Sequence, residues 1–262
     1  MTTPADDPRS TSELFEAAFQ ADRDAAWDAV AALHWRGSRE VLDRAVFLAM
    51  SKEPGERRRA ADILGQIGIP RRTFPEECFS VVTRLLADDD VDVVFGAIFA
   101  LQHVDSHRAA THVIPFADHE NDNIRYAVAF ALGAVDTPQA NATLLCLMRD
   151  CDPEVRNWAT FGIGQQSETD TDEIRQALAE RLTDDHPDAR YEAVVGLGRR
   201  RDDRALGFLK TILHNEPDDV FAREAAEKLL GLDASGYMTT RQLLGALQRR
   251  QRWNAGQPTA RS

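Results

Sequence analysis

The stretch Asp150–Gly164 reads DCDPEVRNWATFGIG, and its pattern returns along the chain. A turn rich in Asp and Pro is followed by Val-Arg, then by Ala four residues after the Val, and the stretch closes on a small residue, an aliphatic residue and Gly. Related segments are IRYAVAFALG from Ile124 and ARYEAVVGLG from Ala189. Most residues of the stretch therefore have a structural role, as parts of a repeated unit.

The repeated unit is a pair of helices. Ten-residue copies start at Ala25, Glu56, Val93, Ile124, Val155, Ala189 and Ala222, at intervals of 31, 37, 31, 31, 34 and 33 residues. A turn with Pro or Asp precedes copies two to seven, where both residues favour a helix start, and a second apolar-periodic stretch precedes each turn. No stretch shows the period-2 alternation of a strand. Helix pairs at this period predict an all-α fold, an α-solenoid of about seven pairs.

The repeated residues resemble the HEAT repeat, in the variant first associated with phycobiliprotein lyases and as a stand-alone protein of bacterial type. The matching residues are Asp152, Pro153, Val155, Arg156, Ala159, Gly162, Ile163 and Gly164. The resemblance covers roughly residues 23–232 and implies a right-handed superhelix. It indicates the fold and not the function, because such repeats serve many unrelated tasks.

Composition suggests where the solenoid begins and ends. We expect residues 13–236 to form the repeat array and residues 237–253 to form a C-terminal helix. Residues 1–12 and 254–262 are rich in Thr, Ser, Pro, Asp and Gly, so we expect both segments to be disordered. The segment 68–77 accounts for the 37-residue interval and is predicted to be an extended loop between repeats.

Charge and cysteine content indicate the cellular compartment in which the protein acts. The 262 residues include 31 basic and 43 acidic side chains, a net charge of -12, which argues against a general affinity for nucleic acid or anionic membrane. The three cysteines lack zinc-type spacing, the first residues have no apolar signal region, and no apolar run approaches membrane-spanning length. We expect a cytoplasmic monomer with no membrane contact.

Arginine occupies the second position of most copies. This column contains Arg57, Arg125, Arg156, Arg190 and Arg223. Because the neighbouring turns are rich in Asp, we interpret the column as a ladder of ion pairs between repeats and not as a phosphate-binding row.

Aromatic residues stand where solvent is expected. Positions three and seven of each copy point away from the packed face, yet the middle copies carry rings there. In a HEAT-like solenoid the second helices line the concave surface, so these rings predict a groove for a partner. The predicted partner-binding residues are Trp27, Phe95, Phe99, Tyr126, Phe130, Phe161 and Tyr191. In the alternative interpretation, the rings pack on one another or are covered by the helix at 239–253.

Motifs for chemistry are weak in this sequence. His103, His107, His112 and His119 fall within a short span, but their mixed spacing crosses a helix boundary, and we predict no metal site. GIGQQS closes a helix instead of joining a strand to one, which excludes a dinucleotide loop. We therefore assign no catalytic residue and no cofactor.

The leading hypothesis is a non-catalytic scaffold that binds a protein or peptide partner in its aromatic groove. The alternative is an enzyme like the bilin lyases, or a chaperone-like tetrapyrrole-binding protein, since the resemblance includes such subunits. A HEAT-like DNA glycosylase or other nucleic-acid binder is disfavoured, because a DNA groove needs Lys and Arg where this protein has neutral rings.

Overall fold

The structure is a computed structural model that describes residues 3–20, 22–232 and 238–256. None of these residues lies in a strand. The α-helices are α1 (Thr11–Ala17), α2 (Arg23–Arg36), α3 (Arg39–Leu48), α4 (Pro54–Gln66), α5 (Pro75–Leu85), α6 (Val91–Val113), α7 (Asp122–Gly133), α8 (Pro138–Leu147), α9 (Pro153–Phe161), α10 (Asp172–Arg181), α11 (Pro187–Arg199), α12 (Leu206–Asn215), α13 (Val220–Leu229) and α14 (Thr240–Gly256). A π-helical turn, Gly162–Gln166, follows α9.

The seven predicted copies all lie on the second helix of a pair, which we call the B helix. The B helices are α2, α4, the first part of α6, α7, α9, α11 and α13. Helix α6 contains two elements, because Asp105 has extended backbone angles of φ -161° and ψ 94°. Its second part pairs with α7, so the expected all-α array of about seven helix pairs is confirmed.

The protein divides into two compact units, Met1–Val135 and Asp136–Ser262, here called unit 1 and unit 2. In unit 1, α4 packs on α6 and α6 on α7. In unit 2, α11 packs on both α9 and α13. Helix α14 packs on α12 and α13 through the buried residues Leu243 and Leu247. Within the described ranges, no helix combines the length and the apolar character needed to cross a bilayer.

Small residues let neighbouring B helices approach closely. A Cβ added to Gly65 would lie 2.9 Å from the Ala100 Cα. In unit 2, a Cβ on Gly196 would lie 2.6 Å from the Gly164 Cα. Any side chain at these positions would push the helices apart, so the close spacing depends on the small residues.

Six of the seven B helices begin with a side-chain cap, and α4, which follows Glu53, has none. Asp152 accepts hydrogen bonds from the Glu154 and Val155 backbone N–H groups, and Pro153 fills the first helical position. Such caps satisfy N–H groups that have no partner inside the helix. The Asp-Pro turn of the repeat is therefore a helix start signal.

The predicted ladder of Arg and Asp is confirmed at two steps. Arg57 donates from Nε and Nη2 to both carboxylate oxygens of Asp88, at 2.6 and 2.7 Å. Arg156 does the same to Asp184, with both distances 2.9 Å. Arg156 also donates to the Asp150 carbonyl oxygen in its own turn. Each arginine thus joins the turn of its own repeat to the turn of the next.

The first residues differ from the expected disordered segment. Ser10 and Glu13 form a capping box, and α1 begins at Thr11. Arg36 donates to the carbonyl oxygens of Asp7 and Arg9, at 3.2 and 2.5 Å. These bonds hold the segment against α2. Residues 1, 2, 21, 233–237 and 257–262 lie outside the described residues, as do the expected boundary at 236 and most of the expected tail 254–262.

The predicted extended loop, 68–77, is tied to the first repeat. Thr73 Oγ1 donates to the Gly37 carbonyl oxygen at 2.8 Å, and the Gly68 N–H donates to the His34 carbonyl oxygen at 2.7 Å. Helix α5 already begins at Pro75. His34 is buried, and its Nε2 lies 2.9 Å from the Asp62 carbonyl oxygen.

Replacing Asp184 by Asn should destabilise the protein by about 2 to 3 kcal/mol at neutral pH. Burial alone would raise the pKa of this carboxyl, but hydrogen bonds from Arg156 and the His186 N–H hold it well below its usual value. A lowered folded pKa gives stability that is present above about pH 4 and lost as the pH falls through the folded pKa. Urea unfolding of both proteins at pH 7 and pH 3 measures the difference.

Asp185→Asn is the matched control. Asp185 also contacts Arg156, at 2.5 Å, but its side chain is 87% exposed. Exposed ion pairs contribute little, so this variant should unfold close to wild type. Equal losses for the two variants would contradict the ladder interpretation.

Candidate functional site

Four of the predicted rings form an aromatic cluster in unit 1. The cluster consists of Phe95 and Phe99 on α6 and Tyr126 and Phe130 on α7. The centroids of Phe95 and Phe99 lie 4.8 Å apart, and those of Phe99 and Phe130 lie 4.6 Å apart. All four rings are half-buried. Stacking between rings one helical turn apart and one repeat apart thus leaves part of each ring accessible.

A groove of about 270 Å³ runs beside this cluster. Trp27 of α2, which is 48% exposed, lines it as well. We call it the B-helix groove. Its lining residues are Trp27, Arg58, Asp62, Gln66, Phe95, Phe99, His103 and Tyr126, together with the small residues Ala61, Gly65, Gly96 and Ala100. Gly65 and Ala100, the small residues at the close approach of α4 and α6, therefore also line the groove.

Two arginines share one carboxylate at this groove. Arg58 Nη2 and Arg59 Nη1 lie 3.1 and 3.2 Å from the two oxygens of Asp62, whose side chain is only 10% exposed. Burial raises the pKa of Asp62 above its usual value, although the charges of Arg58 and Arg59 oppose the shift. With Asp62 ionised, the three side chains together carry one excess positive charge.

Both guanidinium groups lie over rings of the groove. The Arg58 Cζ is 5.3 Å from the centroid of Phe95, and the Arg59 Cζ is 5.3 Å from that of Trp27. A Cβ on Gly96 would overlap the Arg58 side chain, so this glycine makes the room in which Arg58 lies across α6. The sequence signal for this arrangement is a glycine inside a helix, where it costs about 1 kcal/mol relative to Ala.

Three of the four histidines of the short span make separate contacts, and the fourth, His107, is exposed. His103 lines the groove, and burial together with the charge of Arg72 lowers its pKa. His112 meets the ring of Phe79 edge-on, and His119 Nδ1 accepts from the Asn121 N–H. In the part of the protein that the structure describes, no three or more His, Cys, Asp or Glu side chains form a group that could hold a metal ion.

Phe161 and Tyr191, the remaining predicted rings, belong to unit 2. Phe161 meets Trp158 edge-on, with centroids 5.6 Å apart. The Tyr191 hydroxyl donates to the Asp219 carboxylate at 2.8 Å, and burial and this bond raise the Tyr191 pKa. Both rings are half-buried. The Tyr191 hydroxyl is thus engaged, and only its ring remains for contacts.

The π-helical turn in unit 2 is held by a buried arginine. Arg200, 7% exposed, donates to the carbonyl oxygens of Ile163, Gly164, Ser167, Thr169 and Gly196. Carbonyl groups at a helix end need such donors. The stretch GIGQQS is consequently a structural turn, as its place at a helix end predicts.

A half-buried glutamate adjoins this turn. The Gln165 side-chain amide donates to the Glu192 carboxylate, and Arg199 donates to the Gln165 carbonyl oxygen. Burial raises the pKa of Glu192 to about 7, and Asp188 and Asp219 add to the shift, while Gln165 opposes it. The sequence does not single out this residue, because one Glu on a helix carries no motif.

A second apolar surface, formed by α1 and α3, has no counterpart among the sequence predictions. Phe15, Phe19, Phe47 and Leu48 line a groove of about 470 Å³. Phe47 is 73% exposed and the nearby Met50 is 68% exposed. The repeated pattern lies on B helices, whereas Phe15, Phe47 and Leu48 lie on the first helices of two pairs, and Phe19 and Met50 follow those helices.

Comparison with known proteins identifies the family. A family model for HEAT repeats matches residues 46–133, 79–164 and 141–230, which together exceed half of the sequence. The chain belongs to the HEAT-repeat family. The resemblance seen in the repeated residues is therefore confirmed.

Among the proteins similar to this chain is Protein YibA of Escherichia coli (strain K12), 29% identical over 184 residues, 68% of this chain. The match spans 65% of the length of YibA, less than two thirds. The X-ray structure of Escherichia coli YibA has a TM-score of 0.74 at 24% identity and covers 92% of this chain and 93% of YibA. This likeness supports the fold alone.

Another structural neighbour is the complex of CpcE and CpcF of phycocyanin lyase from Nostoc sp. PCC7120. Its TM-score is 0.51 at 17% identity, and the match covers 93% of this chain and 95% of the neighbour. At this identity the likeness again shows shared architecture and carries no activity over to this HEAT-repeat protein.

Replacing Glu192 by Gln should remove a pH dependence of stability. The folded pKa of about 7 lies above the unfolded value of about 4.3, so the folded state binds more protons between them. Wild-type stability should therefore fall by about 1 to 3 kcal/mol as the pH rises from 5 to 8. Chemical unfolding at several pH values measures this change.

The variant should be more stable than wild type at pH 8, and the difference should vanish near pH 5. Glu173→Gln, at an exposed glutamate of α10, is the control and should follow wild type throughout. Parallel curves for wild type and Glu192→Gln would show that Glu192 does not titrate in this range.

Proposed function

We propose that this HEAT-repeat protein is a non-catalytic scaffold that binds a segment of a partner polypeptide in the B-helix groove. In this proposal it acts in the cytoplasm as a monomer. Trp27, Phe95, Phe99 and Tyr126 line the groove and contact the segment directly, with Phe130 supporting them.

The observation that carries the proposal is the accessible aromatic surface of the groove. Trp27 is nearly half exposed, and the four rings of the aromatic cluster are half-buried. Large accessible rings near charged groups are the usual anchors of protein interfaces. Ordinary repeats have polar residues at these solvent-facing positions. Aromatic rings at the same positions therefore favour a role in binding.

The size of the groove favours side chains over a large planar ligand. Its volume of about 270 Å³ lies just below the range of roughly 300 to 1,000 Å³ usual for small-molecule pockets. One or two side chains of a peptide fill such a space. A groove of this volume therefore suits a polypeptide better than a tetrapyrrole.

Phe161 and Tyr191 extend the proposal to unit 2. Both rings are half-buried and lie on B helices, as the cluster of unit 1 does. The Tyr191 hydroxyl is held by Asp219, so we assign its ring a packing contact with the partner and no hydrogen bond.

Trp27→Ala should lower partner affinity at least about tenfold, because truncating an aromatic anchor typically costs about 2 kcal/mol or more of binding energy. The melting temperature should change little, since Trp27 is 48% exposed. Immobilised protein captures partners from the native cell, and the affinity is then measured on the purified partner by calorimetry.

Trp35→Ala is the matched control, since Trp35 lies on the same helix and is 43% exposed, but does not line the groove. It should retain the partner. A partner held equally by wild type and by the Trp27→Ala/Phe95→Ala double variant would overturn the assignment of the groove.

A further inference from the structure

Two arginines and one carboxylate lie at the B-helix groove: Arg58 and Asp62 line it, and Arg59 lies over the ring of Trp27. Arg58 and Arg59 both contact Asp62, which leaves one uncompensated positive charge among these three side chains. The full sequence has a net charge of -12. The net charge of the protein therefore attracts cations, whereas the arginine pair presents guanidinium donors to an anion beside the groove.

The Arg58 guanidinium is held in a position from which it can bind an anion. It lies over the face of Phe95 in the space left by Gly96, and its Nη1 donates to the Asp92 carbonyl oxygen at 3.3 Å. Its side chain is 27% exposed, so solvent reaches it only in part. A guanidinium that is already ordered loses less conformational entropy when it binds a carboxylate.

Resident guanidinium groups also occupy cation sites of the groove. Arg58 covers Phe95 and Arg59 covers Trp27, so a guest cation would compete with both and meet their positive charge. A guest carboxylate would meet guanidinium N–H donors beside apolar walls, where charge-assisted hydrogen bonds are strong.

We propose that the segment bound in the B-helix groove is acidic: an aromatic or aliphatic side chain enters the groove, and an adjacent carboxylate pairs with Arg58. This inference rests on the proposed function and adds the chemistry of the partner. The anchor fills the space above Ala61 and Gly65, while the carboxylate comes from Asp, from Glu or from the carboxyl terminus of the partner.

The test is a selection from a random dodecapeptide display library on the wild-type protein. Peptides that also bind the Trp27→Ala/Phe95→Ala variant are removed, which discards binders of the general acidic surface. The retained pool should be enriched in Asp and Glu beside an aromatic or aliphatic residue. A retained pool enriched in Lys and Arg, or without charge preference, would overturn the inference.

Arginine variants then test the role of Arg58 on the retained peptides. Arg58→Gln should weaken an acidic peptide about tenfold or more, whereas Arg58→Lys should keep part of the affinity. Arg71→Gln, at an exposed arginine outside the groove, makes the same charge change and should have little effect. Circular dichroism and thermal melting check that each variant is folded.

The two proposals fail in different ways. If the selection retains no peptide after removal of those that bind the double variant, the groove is not a polypeptide site and both proposals fall. If groove-dependent peptides are retained but bind Arg58→Gln as tightly as wild type, the scaffold proposal stands and the acidic partner is rejected.

Discussion

The close approach of neighbouring B helices is the constraint on which the rest depends. Gly65 meets Ala100 in unit 1, and Gly164 meets Gly196 in unit 2, at distances that leave no room for a larger side chain. Helices this close bury their small residues, and large residues must find space on the other faces. The rings of the aromatic cluster, at positions three and seven of the copies on α6 and α7, are thereby directed to a surface where they stack on one another.

The position of each arginine on its B helix determines which groups it contacts. Arg57 and Arg156, at the helix starts, reach the turns of the next repeats and bind Asp88 and Asp184 with paired hydrogen bonds. Arg58, one position further along α4, points to another face and meets Phe95 and Asp62. Two successive arginines thus have different tasks, because each residue turns the helix by about 100°.

The surface that results in unit 1 is both aromatic and cationic. An aromatic groove alone would accept many apolar segments, and the arginine pair adds a preference for one sign of charge. In the proposed complex, the arginine pair would let the groove discriminate between partners in a way that the rings by themselves cannot. The groove volume of about 270 Å³ also limits the size of the side chain that the proposed partner could insert.

The sequence by itself determined the class of fold. The interval of 31 to 37 residues, the Asp-Pro turns and the alanine column specify helix pairs, since these are local rules of capping and of helix period. It also predicted the Arg and Asp ladder, because position two and the turn recur together. The aromatic positions followed from the same numbering.

Only the tertiary structure decided what surrounds those rings. The sequence does not show that Gly96 opens a space for Arg58, or that Trp27 and Phe95 line one groove, because these residues come from different repeats. It also left the Arg200 contacts, the burial of Glu192 and the apolar surface at Phe47 unseen. A repeat pattern shows only the residues that the copies have in common. The candidate site consists of residues that differ between copies, and these residues become neighbours only when the helices pack together.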